Sequence, residues 1–282
     1  MTAVPDGLRT GPARPRVVAS DLDGTLVRSD GTISARSRRA LEGAEQAGAL
    51  VVFVTGRPPR WMQPVIEQTG ASGLAICANG ALVYDLGTGT IVREHALSPE
   101  IAGQLVDSIR AALPGVAFAV ENGLQFAHEP DYVPGWPAPE RIIADADELV
   151  AEPVAKLLVK HPDRPPAEIY DLVVRLAGET AMVTYSGDVL LEVSGAGVSK
   201  ASTLADLCAS RGFAADDVIA FGDMPNDIPM LRWAGRAIAV DNAHHEVLAV
   251  ADEVTASNDD DGVARVLEEI FGLSPEPEPL DA

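Results

Sequence analysis

Only two of the 282 residues are cysteine, no histidine pair stands at ligand spacing, and no apolar run approaches the length of a membrane span. Cys77 and Cys208 are too few for a disulfide framework and lack metal-ligand spacing, so both read as buried reduced thiols. His244 and His245 are adjacent and cannot share a helix face as paired ligands, and the other histidines are scattered, so no zinc site is predicted. Basic residues are scarce too: 21 Lys and Arg against 42 Asp and Glu leave a formal charge of -21. That balance argues against nucleic acid and anionic membrane surfaces as partners. The first residues lack the apolar centre of a secretory signal, and the expected location is the cytoplasm. Apolar residues, at 47 %, are plentiful enough for one large domain or two ordinary ones. Such an acidic, soluble chain suits a protein that concentrates a cation.

The clearest local signal is Val17-Val18-Ala19-Ser20-Asp21-Leu22-Asp23-Gly24-Thr25-Leu26. A short β-branched run reads as a buried strand with two carboxylates, a glycine and a hydroxyl at its carboxyl end. Side chains two positions apart in extended backbone point the same way, so Asp21 and Asp23 can face one pocket. Their repulsion is tolerable if a cation, a shared proton or solvent offsets it. Taken alone, the same residues also suit an ordinary solvated turn.

The pattern of buried strand, polar loop and helix then recurs. A helix over Arg36 to Ala47 leads to the strand Leu50 to Val54, which ends at Thr55-Gly56-Arg57. Leu74 to Cys77 follows, with a hairpin through Ala81 to Tyr84. Such alternation predicts parallel βαβ crossovers and helices on both faces of a sheet. From about residue 88 the texture becomes antiparallel, with hairpin turns at Asn122-Gly123 and Ser186-Gly187-Asp188. An order of strand, helix, strand, hairpin and strand appears twice, separated by a Pro-rich connection over Pro130 to Pro139 in which Trp136 is read as a packing residue. Parallel texture returns with Lys200 at a helix start, the strand Asp217 to Phe221 and the loop Gly222-Asp223-Met224-Pro225-Asn226-Asp227. The expected fold is α/β: a Rossmann-like, doubly wound parallel sheet interrupted by an inserted α+β cap. Its boundaries are 16–87 and 192–273 for the core and 88–191 for the cap, with disordered tails at 1–15 and 274–282.

In open parallel sheets ligands collect outside the carboxyl ends of the strands. The unusual polar residues all fall there: Asp21, Asp23 and Thr25, then Thr55, Gly56 and Arg57, then Asp223, Asn226 and Asp227, with Lys200 beside them. Carboxylates, a hydroxyl and two cations suit phosphoryl transfer, in which positioning and charge neutralisation supply most of the rate.

These residues resemble the four motifs of the haloacid dehalogenase superfamily, in the spacing of its Cof-type phosphatase branch (subfamily IIB). DLDGTL is similar to the first motif, VVFVTGR to the second, the lysine of GVSK to the third and FGDMPND to the fourth; AIAVDNAHHEV and DDDGVA also resemble that branch. The resemblance spans residues 16 to 272, and Pro225 departs from the commoner small or acidic residue at its position. It implies that Asp21 attacks phosphorus, that Asp23 serves as acid and then base, and that Thr55 and Lys200 complete the catalytic set. It implies substrate contacts from Gly56, Arg57 and Asn226. It also implies a magnesium site drawn from Asp21, Asp23 through its backbone carbonyl, and Asp223, with Asp227 steadying either the metal's waters or Lys200. The expected activity is dephosphorylation of small phosphorylated metabolites, sugar phosphates or similar monoesters, with the cap setting selectivity. A phosphomutase on the same scaffold and a binding protein without catalysis remain the alternatives. Monomer and dimer are both open.

Overall fold

The computed structural model describes residues 14–135, 140–184 and 189–274. Trp136, the turn at Ser186-Gly187-Asp188 and nearly all of both tails lie outside the described residues. The chain begins with β1 (Val17–Ser20), α1 (Ala35–Gln46), β2 (Leu50–Val54), α2 (Gln63–Thr69), β3 (Leu74–Cys77), β4 (Leu82–Asp85) and β5 (Thr90–Glu94). It crosses into a second unit with α3 (Pro99–Ala112), β6 (Ala117–Asn122), β7 (Gln125–His128), β8 (Arg141–Ile143), α4 (Ala146–Leu149), β9 (Lys156–Lys160), α5 (Pro166–Ala177), β10 (Ala181–Thr184) and β11 (Leu191–Gly195). It returns through α6 (Lys200–Ser210), β12 (Val218–Gly222), α7 (Ile228–Trp233), β13 (Arg236–Val240), α8 (His245–Leu248), β14 (Glu253–Thr255) and α9 (Gly262–Phe271).

The core sheet has the order β14-β13-β12-β1-β2-β3-β4-β5, parallel from β14 to β3 and antiparallel at β4 and β5. Every residue of β1 is buried because the strand is covered on both faces. Val17 and Ala19 pack with Leu204 and Leu207 of α6 and Met230 and Leu231 of α7. Val18 packs with Leu41 of α1 and Leu267 and Phe271 of α9 on the other side. Chain order reverses at β1, with β2 on one flank and β12 on the other. Ser20 stands level with both Phe53 and Phe221, so the loops after β1, β2 and β12 emerge side by side at this switch point.

The second sheet has the order β10-β11-β9-β6-β7-β8. Alternation along its strands separates two faces. Phe118, Leu157, Val159, Leu191 and Val193 pack under Leu105 and Ile109 of α3 and Ile169 and Val173 of α5. The opposite register, including Glu121, Lys156, Leu158 and Glu192, is turned toward the core loops.

The topology corrects the expected cap boundaries of 88 and 191. Thr90–Glu94 is an edge strand of the core sheet, because the turn after β4 is held by Asp85, whose carboxylate accepts the N–H groups of Gly87 and Thr88 at 3.0 and 2.8 Å. Leu191–Gly195 belongs to the second sheet, paired with both β10 and β9. The repeated arrangement is therefore narrower than expected: helix plus hairpin, in α3-β6-β7 and α5-β10-β11, flanks β9 from both sides. The exposed strand β8 and the short α4 had no counterpart in the sequence reading. Among the described residues, no helix is long and apolar enough to cross a membrane. Both cysteines are buried and free, and burial pushes the Cys77 thiol up to about 12 and Cys208 to about 11.

Candidate active site

After β1 the backbone leaves the extended state at once. Asp21 N–H continues the ladder to the Phe221 carbonyl at 3.0 Å, and the Leu22 carbonyl then accepts the N–H groups of Thr25, Leu26 and Val27. Gly24, at φ 79°, makes the turn in a backbone region that side chains rarely adopt, and a Cβ there would collide with the Asp223 carboxylate. The turn makes the two acids unequal. Asp21 is buried, whereas the Asp23 side chain is 60 % exposed and accepts two hydrogen bonds from Arg57, at 2.8 and 2.5 Å. Those bonds raise the Arg57 pKa further against the opposing effect of burial.

Lys200 begins α6 behind the capping residue Ser199, whose hydroxyl oxygen accepts the Ser202 N–H at 3.1 Å. Its side chain is almost wholly buried, and a buried ammonium requires partners. It has two: Nζ donates to Asp21 Oδ1 at 2.6 Å and to Asp227 Oδ1 at 2.7 Å. Burial alone would lower the lysine pKa; the two carboxylates outweigh it and raise it. The other oxygen of Asp227 accepts the N–H groups of Asp223 and Met224, both at 3.1 Å, so this carboxylate shapes the fourth loop and holds Lys200 at once. Asp223 accepts the Thr25 hydroxyl at 2.8 Å.

Carboxylate oxygens of Asp21, Asp223 and Asp227 lie within 4.8 Å of one another. Three buried carboxylates thus stand beside one ammonium, which bonds two of them. Burial pushes Asp21 well above the usual carboxylate range, and pushes Asp223 up to about 6 against the pull of the Thr25 hydroxyl. Such a set is short of positive charge, and its donors are all oxygen, which fits a hard divalent cation such as magnesium. Two asparagines brace the rim: Asn242 donates to the Gly24 carbonyl at 2.7 Å and Asn258 to the Val27 carbonyl at 2.9 Å. On the surface nearby, donor atoms of His244, His245 and Glu246 also approach within 4.8 Å of one another despite the two histidines being consecutive.

A cavity of about 340 Å³ opens from this cluster toward the second sheet. Of the residues expected at the site, Asp21, Asp23, Gly56, Arg57, Lys200 and Asn226 line it. Asp223 and Asp227 stand behind them. Thr55 is also behind the wall, fully buried, with its hydroxyl oxygen accepting the Arg57 N–H at 3.0 Å. Asn226 donates to Asn79 at 3.2 Å, while its own Oδ1 is buried without a protein partner. The turn at Asn122-Gly123 lies against Ile91 of the core edge rather than over the site, but Glu121 beside it reaches the cavity.

Several cavity residues had not been expected: Trp61, Glu121, Lys156, Leu158 and Glu192. For Glu121, Lys156 and Glu192 the signal was a charge within an otherwise apolar strand, as in Lys156-Leu157-Leu158-Val159-Lys160 and Leu191-Glu192-Val193; Trp61 and Leu158 carried none. Which face those charges would meet depends on pairing that local sequence does not record.

A family model described as haloacid dehalogenase-like hydrolase matches residues 18–267. The 5-amino-6-(5-phospho-D-ribitylamino)uracil phosphatase of Bacillus subtilis is 29 % identical over 92 % of this chain and 99 % of its own length. The pyridoxal phosphate phosphatase of Escherichia coli is 28 % identical over 89 % of this chain and 97 % of its own. Among solved structures, a phosphatase of the same superfamily from Bacteroides thetaiotaomicron superposes with a TM-score of 0.81 at 24 % identity, covering 96 % of this chain and 100 % of its own. With its motifs gathered at one switch point and its family match running almost end to end, the chain belongs to the haloacid dehalogenase-like hydrolases, in their Cof-type phosphatase branch.

Proposed function

We propose that the protein is a magnesium-dependent phosphatase of small phosphorylated metabolites that works through an aspartyl phosphate on Asp21. The observation that carries this reading is the position of Asp21: one carboxylate oxygen is fixed by Lys200 beside Asp223, and the residue faces a cavity wide enough for a small ester. Attack by Asp21 on phosphorus forms a bond to the phosphoryl group as the ester oxygen departs. Asp23, at the exposed rim, donates a proton to that oxygen and then removes one from the water that cleaves the acyl phosphate. Arg57 is within reach to exchange Asp23 for a phosphate oxygen. Gly56 offers backbone beside it, Thr55 retains a hydroxyl proton, and Asn226 reaches in from the fourth loop.

Magnesium would be held by the carboxylates of Asp21 and Asp223 and the backbone carbonyl of Asp23. When bound it neutralises charge on the transferring phosphoryl group. Asp227, with both oxygens engaged, serves by positioning Lys200 and the Asp223 backbone.

The test is release of inorganic phosphate from p-nitrophenyl phosphate with magnesium. Asp21→Asn should abolish turnover while circular dichroism and melting temperature stay those of a folded protein. Retained turnover in that variant overturns the assignment of the nucleophile.

A further inference from the structure

The wall that the second sheet presents to the cavity carries three ionisable side chains, and each is already neutralised. Glu121 receives two hydrogen bonds from the Arg60 guanidinium, one on each carboxylate oxygen, the Nη2 bond at 2.8 Å. Glu192 Oε1 accepts from Lys156 Nζ at 2.6 Å, and its Oε2 accepts from the Asn79 amide at 2.7 Å. Lys156 also donates to the Gly56 carbonyl at 3.3 Å, on the loop that begins with Thr55. Lys156 and Glu121 are register partners on β9 and β6, and Glu192 stands opposite Leu158 on the other side of β9. The charges therefore form two closed pairs, Lys156 with Glu192 set by strand register and Glu121 with Arg60 reaching from the core, with no carboxylate oxygen left open. Between and around them the cavity is walled by Trp61, Leu158, Leu190 and Met224.

An ionised group on the alcohol side of a substrate would be stripped of water here without meeting a free opposite charge. To gain one, it would have to break a buried pair, leaving a second charge uncompensated. A neutral alcohol meets no such obstacle. Its apolar face can lie against Trp61 and Leu158 without disturbing either pair.

We infer that this site takes monophosphate esters of uncharged alcohols that present an apolar face, and that it discriminates against bisphosphates and phosphorylated acids. The inference rests on the phosphatase reading and narrows its substrate class.

The experiment compares kcat/KM of the full chain with magnesium on matched pairs: phenyl phosphate against 4-carboxyphenyl phosphate, and a hexose phosphate against its aldonic-acid counterpart. The neutral member should be favoured by about tenfold or more, since an unpaired buried charge is costly. Glu192→Gln leaves Lys156 an uncompensated cation, and should reduce that preference by about tenfold by giving the anionic member a partner. Should Glu192→Gln not fold, Glu121→Gln makes the same test by removing a negative charge from the cavity wall beside Lys156. Equal or reversed preference in the wild type, or an unchanged preference in the folded variant, overturns the inference. Absence of phosphate release from every ester would instead sink the phosphatase reading, and the inference with it.

Discussion

The Lys200 ammonium lies 2.6 Å from Oδ1 of Asp21, with almost no exposure to solvent. The same nitrogen holds Asp227 at 2.7 Å, so one cation organises two carboxylates from loops far apart in sequence. Removing it should both disorient the proposed nucleophile and withdraw charge from the proposed phosphoryl site. Lys200→Met, which keeps much of the side-chain volume, should lower kcat/KM by roughly 10²–10³, the range for loss of a preorganised electrostatic contact. Lys200→Arg keeps the charge but replaces a compact ammonium by a planar fork, and should not restore activity. Steady-state kinetics on both variants decides it: an arginine variant close to wild type would show that charge alone suffices.

Asp23 differs from Asp21 in environment, exposed and paired with Arg57 rather than buried beside Asp223. The proposed division of labour follows from that difference. Asp23→Asn should slow esters with poor alkoxide leaving groups by roughly 10²–10⁴, the usual contribution of a positioned acid, and p-nitrophenyl phosphate much less. Magnesium affinity should hardly change, because the backbone carbonyl is untouched. Calorimetric titration of the variant checks this, and a marked loss of magnesium affinity would contradict it.

The core and the loops of the candidate site were legible because their information is local. Parallel strands buried on both faces read as unbroken apolar runs, and Asp21, Lys200 and Asp223 sit directly at strand ends or a helix start. Where information is non-local, the sequence said less. Thr90–Glu94 looks like the first strand of the inserted unit until its hairpin with β4 is seen, and Arg141–Ile143 is too short and exposed to show alternation. Lys156 and Glu192 are separated by 36 positions, and their meeting depends on β9 and β11 being neighbours in one register. Asn242 and Asn258 were visible as residues, but their support of the first loop requires the chain's last third to fold back on it.

Gly24 has a sharper role than turn formation. Its φ of 79° is unfavourable for any side chain, and a Cβ would press on the Asp223 carboxylate, which Thr25 holds from the other side. Gly24→Ala should therefore cost about 1–2 kcal/mol of stability from the left-handed backbone alone. It should also weaken magnesium binding by displacing Asp223. Thermal melts with and without magnesium separate the effects: a variant merely destabilised would keep the wild-type magnesium shift, whereas a magnesium site on Asp223 predicts that the shift shrinks.

Protons and magnesium should compete for the same oxygens. Burial raises the folded-state pKa of Asp21 and brings Asp223 to about 6, both above an unfolded value near 3.9. A carboxyl raised on folding binds extra protons in the native state. Its contribution is full below the unfolded value and is lost as pH rises through the folded one. Metal-free protein should thus lose the Asp223 contribution between about pH 4 and pH 7, and the Asp21 contribution likewise falls as pH rises above the unfolded value. Magnesium binds the deprotonated form, so it should restore stability mainly at the upper end of that window. At a concentration about 100 times its dissociation constant it contributes about 2.7 kcal/mol, a shift of several degrees, at pH 7.5. Near pH 5 the same magnesium concentration should produce a much smaller shift. Melting curves at both pH values, with EDTA as the metal-free reference, check this. An equal shift at both would mean that the ion is held elsewhere than on Asp21 and Asp223.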